Sequence, residues 1–143
     1  ELYHITKDDV LVIASNSGRN AYPVELAQCA KEKGARVIAI TSIKHSSATT
    51  SRAKSGKKLM DIADIVIDNC GELGDACLAV EGCNVAMMPT SSIANTFIVQ
   101  AISVLTAQYI AEKGGTPPVF ISLNGLAKQN INDDLYQKYT RLY

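Results

Sequence analysis

The chain has 143 residues, 47% of them hydrophobic and 20% charged, which suits one globular domain with a buried core and not a disordered tail or a multidomain array. Fourteen Lys and Arg offset fourteen Asp and Glu, so no overall basic surface exists for direct nucleic-acid binding or for an anionic membrane. Four cysteines (Cys29, Cys70, Cys77, Cys83) lack CxxC pairing and the density of a disulfide scaffold, which points to reduced, buried thiols in a cytoplasmic protein without a metal site.

Val10 to Ala14 (VLVIA) is a continuous apolar, β-branched run, the pattern of a strand buried on both faces of a parallel sheet. Ser15 to Asn20 (SNSGRN) breaks it. Pro23 then suits the first turn of a helix whose Val24, Leu26, Ala27 and Ala30 recur at helical spacing until Gly34 stops it. Arg36 to Thr41 (RVIAIT) is a second buried strand, so the three pieces read as a βαβ unit. Ser42 to Ser55 reads as a long polar loop, Lys57 to Ile62 as a short helix and Asp64 to Asp68 as a third strand. Ala76 to Val80 and Asn84 to Met88 flank Glu81-Gly82 and predict a β-hairpin.

The longest helix is predicted from Ser91 to about Glu112. Asn95, Gln100, Ser103, Thr106 and Gln108 interrupt it too often for a membrane span of about 20 apolar residues. An uncharged helix with Ile93, Phe97, Ala101 and Leu105 on one face and Thr96, Gln100 and Ser103 on another should be buried, with a homodimer or larger interface through 91–112 as its second cover. Pro117-Pro118 open an extended piece ending at Asn124-Gly125. Asn132 is placed to cap a last helix whose Asp133 and Asp134 suit its N-terminal dipole.

The neutral total conceals a segregation of charge. Arg36, Lys44, Arg52, Lys54, Lys57 and Lys58 fall between Gly34 and Met60 without an acid, whereas Asp61, Asp64, Asp68, Glu72, Asp75 and Glu81 follow without a base. Such runs serve either as solvated, mutually attracting segments or as a local field for a small anion.

Chemistry concentrates at Ser15-Asn16-Ser17-Gly18-Arg19-Asn20, which lies at the carboxyl end of a parallel strand and opens a helix. Ligands of such sheets bind at that end, and helix N-termini present free N–H groups and a positive dipole to anions. Ser15 and Ser17 supply hydroxyls, Asn16 and Asn20 amides, and Gly18 close backbone approach, a set suited to phosphate. A plain turn with an Asn or Ser N-cap is the competing reading. Neither GxxxxGK[ST] nor GxGxxG is present, which removes the nucleotide-cofactor classes, and no other cofactor is called for.

These residues carry a family resemblance. The stretch DVLVIASNSGRNAYPVELAQCAKEKGARVIAITS resembles the phosphosugar-binding core of the SIS (sugar isomerase) domain, in which a strand ends in Ser-x-Ser-Gly-x-Thr/Ser before a helix and a strand ending in Ile-Thr. Pro89-Thr90-Ser91-Ser92 resembles the opening of the long helix in arabinose-5-phosphate isomerase-like members, and the stretch SRAKSGKKLMDIADIVIDNCGELGDA is similar to a bacterial group with phosphoheptose isomerase-like members. The resemblance implies an α/β fold, a three-layer αβα arrangement around a flavodoxin-like parallel sheet. It implies a sugar phosphate held by Ser15, Asn16, Ser17, Gly18 and Asn20, with Asn20 in place of the usual Thr or Ser. Arg19 stands where many members have Glu and is either a charge beside the phosphate or a surface arginine. Ser42, Ser46 and Ser47 lie past the second strand and either touch the sugar or ride on a loop.

A full SIS sheet has five strands and an earlier Gly-x-Gly-x-Ser loop without counterpart before Val10, so residues 1–143 are expected to be one SIS-type domain forming the C-terminal portion of a longer chain. Aldose–ketose isomerisation needs a base, for which His45 is the candidate. The alternatives are a non-catalytic phosphosugar sensor, or a lyase resembling N-acetylmuramic acid 6-phosphate etherase.

Overall fold

Three parallel strands in sequential order, β1 (Val10–Ala14), β2 (Arg36–Thr41) and β3 (Ile65–Asp68), make the main sheet. The computed structural model describes residues 4–122, 124 and 131–139, and the chain falls into two units, Ile5–Ile98 and the described residues from Val99 onward with His4. β1 and β2 are joined by α1 (Ala21–Glu32), with Val12 opposite Ile38 and Ile13 opposite Ala39; β3 adds on the far side, with Ile38 opposite Ile65.

Side chains alternate across a strand, so each sheet face takes every second residue. On one face Ile13, Val37 and Ala39 pack with Ala27 and Ala30 of α1 and with Leu59, forming the core of this unit. Small alanines on α1 let the helix lie close on the sheet. The opposite face differs from the expectation that β1 is buried on both sides: Val10 and Val12 are 55% and 41% exposed, and Ile65 of β3 is 52% exposed. An apolar run specifies two covered faces, and the described residues of this unit supply a helix for one of them.

The polar stretch after β2 is more ordered than a long loop. Ser42 N-caps a short helix, α2 (Ile43–Ser47), by accepting a hydrogen bond from the His45 N–H through Oγ. The predicted short helix over 57–62 is a single 3-10 turn, Leu59–Asp61, closed by Asp61 Oδ2 accepting from the Lys58 N–H at 2.7 Å. At the entry to β3, Asp64 accepts from Val37 N–H and pairs with Lys31 of α1, and the Lys31 hydrogen bond holds its carboxyl below the ordinary aspartate range.

The hairpin forms as β4 (Ala76–Leu78) and β5 (Met87–Pro89), shorter than predicted, with Ala76 opposite Pro89 and Leu78 opposite Met87. α3 (Thr90–Glu112) follows directly. Its ends match the sequence reading; its burial does not. No residue of α3 is buried, and Ile93, Phe97 and Leu105 are 60%, 72% and 62% exposed, because the described residues provide no layer over its apolar flanks. By length and composition alone this helix is apolar enough to cross a membrane. Its hydroxyls are satisfied internally: Thr96, Ser103 and Thr106 each donate to the carbonyl four residues earlier.

In the second unit, α4 (Ile131–Tyr139) follows an extended segment. Asn132 does not cap α4 as predicted; its Oδ1 accepts from Ile121 N–H at 3.0 Å and its Nδ2 donates to Ile121 O at 2.8 Å, so the amide clamps the extended segment instead. The predicted end of that segment at Gly125 lies outside the described residues.

Candidate functional site at the carboxyl ends of the strands

The loop after β1 is stitched to its neighbours by its backbone. Ser15 N–H continues the ladder to Ile40 O at 2.9 Å, and the Asn16 carbonyl accepts from Thr41 Oγ1 and from Ser42 N–H, both at 2.9 Å. Gly18 N–H closes a turn onto Ser15 O, and Gly18 O accepts from Leu59 N–H at 2.8 Å. At φ +58° Gly18 occupies the left-handed region, and a Cβ there would stand 3.2 Å from Leu59 Cβ, so both torsion and space require glycine.

Asn20 takes the N-cap position of α1 with extended torsions, yet its side chain caps nothing; Oδ1 accepts from Arg52 Nη1 at 3.4 Å instead. The first turn of α1 holds no acid. Its N–H groups and the positive end of the helix dipole therefore face no internal anion. Among the described residues no partner takes Oγ of Ser15 or Ser17. Arg52 N–H also donates to Arg19 O, which brings part of the basic stretch onto the loop, while Arg19 Nε is buried without a partner. Lys58 is committed elsewhere, to the carbonyls of Ser46 and Thr49.

A second cluster borders the same loop. Asn69, just past β3, is 7% exposed; its Oδ1 accepts from Gly71 N–H at 2.9 Å, and its Nδ2 donates to Asn16 Oδ1 at 2.9 Å and to Asn95 Oδ1 at 2.8 Å. Asn16 Nδ2 in turn lies 3.5 Å from His45 Nδ1. A Cβ on Gly71 would meet Asn16 Oδ1 and Asn69 Oδ1 at 3.0 Å and Thr90 Oγ1 at 3.2 Å, so this glycine admits the approach of three polar side chains.

Asp75 anchors the start of α3. Its Oδ1 accepts from Ser91 N–H at 2.7 Å and from Thr90 Oγ1 at 3.0 Å, and its Oδ2 from Ser91 Oγ at 2.6 Å. Burial pushes this carboxyl up, but the hydrogen bonds from Ser91 and Thr90, with the charge of His45, hold it below its ordinary value. Asp75 sits at φ +73°, a left-handed conformation that an aspartate tolerates better than most residues.

The residues singled out from sequence thus separate. Ser15, Asn16, Ser17, Gly18, Arg19 and Asn20 form one continuous loop, and His45 is brought to Asn16 from α2. Ser42 and Ser46 are fully buried: Ser42 Oγ donates to Gly71 O at 2.6 Å, and Ser46 Oγ has no partner. They stand under the loop instead of facing solvent. Glu72 and Lys44 pair across the ends of β3 and β2, joining the acidic and basic stretches. The cysteines do not follow the expectation of burial; all four are exposed and free, Cys29 on α1, Cys70 just past β3, and Cys77 and Cys83 along the segment of β4 and β5. Asn69, Gly71, Asp75 and Asn95 escaped sequence reasoning. The Asn-Cys-Gly after β3 held the one legible signal, a polar turn at a strand's carboxyl end.

Polar side chains thus gather where the parallel strands end, beside an uncapped helix N-terminus, an arrangement chemically able to hold a small anion. A family model for the SIS domain matches residues 1–42. Over 141 residues the chain is 42% identical to the UPF0309 protein BH3325 of Halalkalibacterium halodurans, covering 99% of this chain and 58% of that protein. It is likewise 42% identical over 141 residues to the UPF0309 protein TTE0306 of Caldanaerobacter subterraneus (97% and 57%), and over 135 residues to the UPF0309 protein lin2794 of Listeria innocua (94% and 55%). The family match and these relatives support a SIS domain family for the chain, which spans a little over half the length of the relatives.

Proposed function

We propose that the Ser15–Asn20 loop binds the phosphate of a sugar phosphate and that the protein is a cytoplasmic phosphosugar isomerase interconverting aldose and ketose. The observation that carries the reading is the pair of unpartnered hydroxyls, Ser15 and Ser17, beside the uncapped start of α1. Neutral donors hold a phosphate by charge-assisted hydrogen bonds and still release product, and Arg52 and Arg19 add positive field nearby. The sugar would then extend toward Asn16, Asn69, Asn95 and His45, whose amides and imidazole match hydroxyl and carbonyl oxygens.

The SIS domain is proposed to continue in chain beyond these residues, a reading supported by the exposed face of the sheet and by β1 pairing with β2 alone among the described residues. The uncovered flank of α3 supports a homodimer or larger assembly through 91–112, since water-exposed apolar helix faces of this extent mark interaction surfaces.

Replacing Ser15 and Ser17 together by Ala should weaken sugar-phosphate binding at least tenfold in calorimetry, each lost charge-assisted bond contributing about 1.5 kcal/mol or more. Affinity unchanged by the double substitution would refute the assignment of the loop. Turnover is read by NMR of a sugar-phosphate panel: conversion between aldose and ketose supports the isomerase, and tight binding without conversion replaces it with a sensing domain.

A further inference from the structure

The asparagine cluster fixes the orientation of its own amides. The Gly71 backbone N–H is a donor that cannot be reversed, and it points at one end of the Asn69 side chain; that end must be the oxygen. The Asn69 NH2 then faces outward and spends one hydrogen on Asn16 and one on Asn95, so the Asn16 atom it meets is also an oxygen. The remaining end of the Asn16 amide is therefore its NH2, and it is this nitrogen that lies 3.5 Å from His45 Nδ1, at the long end of hydrogen-bond range. An amide nitrogen offers no lone pair. The proton between the two groups has to come from Asn16, and Nδ1 has to be the unprotonated ring nitrogen. In a neutral imidazole the proton then resides on Nε2. The Asp75 carboxylate, on which the charge of His45 acts, already accepts from Thr90 and Ser91. Among the described residues no group hydrogen-bonds Nε2.

We propose that Asn69, acting through Asn16, holds neutral His45 as its Nε2–H tautomer, so that His45 presents a hydrogen-bond donor to an oxygen of a bound ligand. Asn69 is then a positioning residue, and its buried place behind the loop fits that role. With the lone pair of Nδ1 engaged by Asn16, the neutral ring polarises a carbonyl or hydroxyl oxygen and does not abstract a proton through Nε2. The oxygen's identity as that of a sugar rests on the functional reading above; the tautomer does not.

Long-range proton–nitrogen correlation NMR of 15N-labelled protein at about pH 8.5, about two units above the ordinary histidine value, reads the tautomer directly. His45→Gln assigns the signals, because His4 is the other histidine of the sequence. Wild type should show a protonated Nε2 and a bare Nδ1. In Asn69→Asp the new carboxylate still accepts from Gly71 N–H but has no hydrogen for Asn16, which reverses its amide and turns an oxygen toward His45; the proton should move to Nδ1. Asn16→Asp, which puts a carboxylate opposite Nδ1, should produce the same move and serves if the buried variant does not fold. A wild-type Nδ1–H tautomer, or Nε2–H retained in both variants, overturns the proposal. Absence of calorimetric binding to any sugar phosphate, with the tautomers as expected, would sink the functional reading alone.

Discussion

Asp75 offers a test of how the start of α3 is held. Asp75→Ala removes the acceptors of Ser91 N–H and Ser91 Oγ, while Thr90 Oγ1 retains the Asp75 carbonyl at 3.0 Å. Ser91 N–H is one of the first-turn donors that α3 cannot satisfy itself, and loss of its acceptor should cost about 1 kcal/mol, as for an N-cap. Removing the negative charge from the helix N-terminus adds about 0.5 kcal/mol. The backbone contributes separately: alanine at φ +73° bears a left-handed penalty of roughly 1 kcal/mol. The sum is about 2.5 kcal/mol for Asp75→Ala. Asp75→Gly loses the same acceptors without the torsional term, about 1.5 kcal/mol. Asp75→Asn keeps an oxygen and the left-handed tolerance, and should cost about 0.5 to 1 kcal/mol. Urea unfolding of the four proteins by circular dichroism measures the order. A loss below about 0.5 kcal/mol for Asp75→Ala, or Asp75→Gly as damaging as Asp75→Ala, would refute the account, the first by denying the cap and the second by denying the strain.

The same carboxyl sets a pH dependence. Because its value is lowered in the folded state, its contribution is present above the unfolded value and is lost as pH falls through the folded one, so the stability gap between wild type and Asp75→Asn should shrink below about pH 4; a constant gap in urea midpoints from pH 6 to pH 3 would contradict this. Gly18→Ala combines a left-handed torsion with a 3.2 Å approach to Leu59 Cβ, and should cost about 1–2 kcal/mol and weaken sugar-phosphate binding; unchanged midpoint and affinity would show that the turn tolerates a side chain. Leu105→Lys, at a position 62% exposed in the chain, should reduce self-association in sedimentation with little change in helicity, and an unaltered oligomer would remove α3 as the interface.

Periodicity and punctuation determined much of this protein. Runs of apolar, largely β-branched residues at 10–14, 36–41 and 64–68 specify strands because three to five consecutive apolar side chains bounded by polar residues suit a sheet covered on both faces, and Pro23 and Gly34 bound α1 for steric reasons that act locally. The loop at 15–20 was legible as a candidate site for the same reason, since its hydroxyls and amides lie in six consecutive residues. Burial was not legible: VLVIA and the apolar α3 state what they need covered, and the described residues cover only one face of β1 and fully bury no residue of α3. Tertiary structure alone decided the rest. Asn69, Asn95 and Asp75 are ordinary polar residues in sequence, distant from Asn16 by 53, 79 and 59 positions, and acquire meaning because the fold brings the turn after β3 and the start of α3 to the loop after β1. Hydrogen bonds have direction and short range, so which amide faces His45, and which serine is buried beneath the loop, follows from that convergence and not from any spacing along the chain.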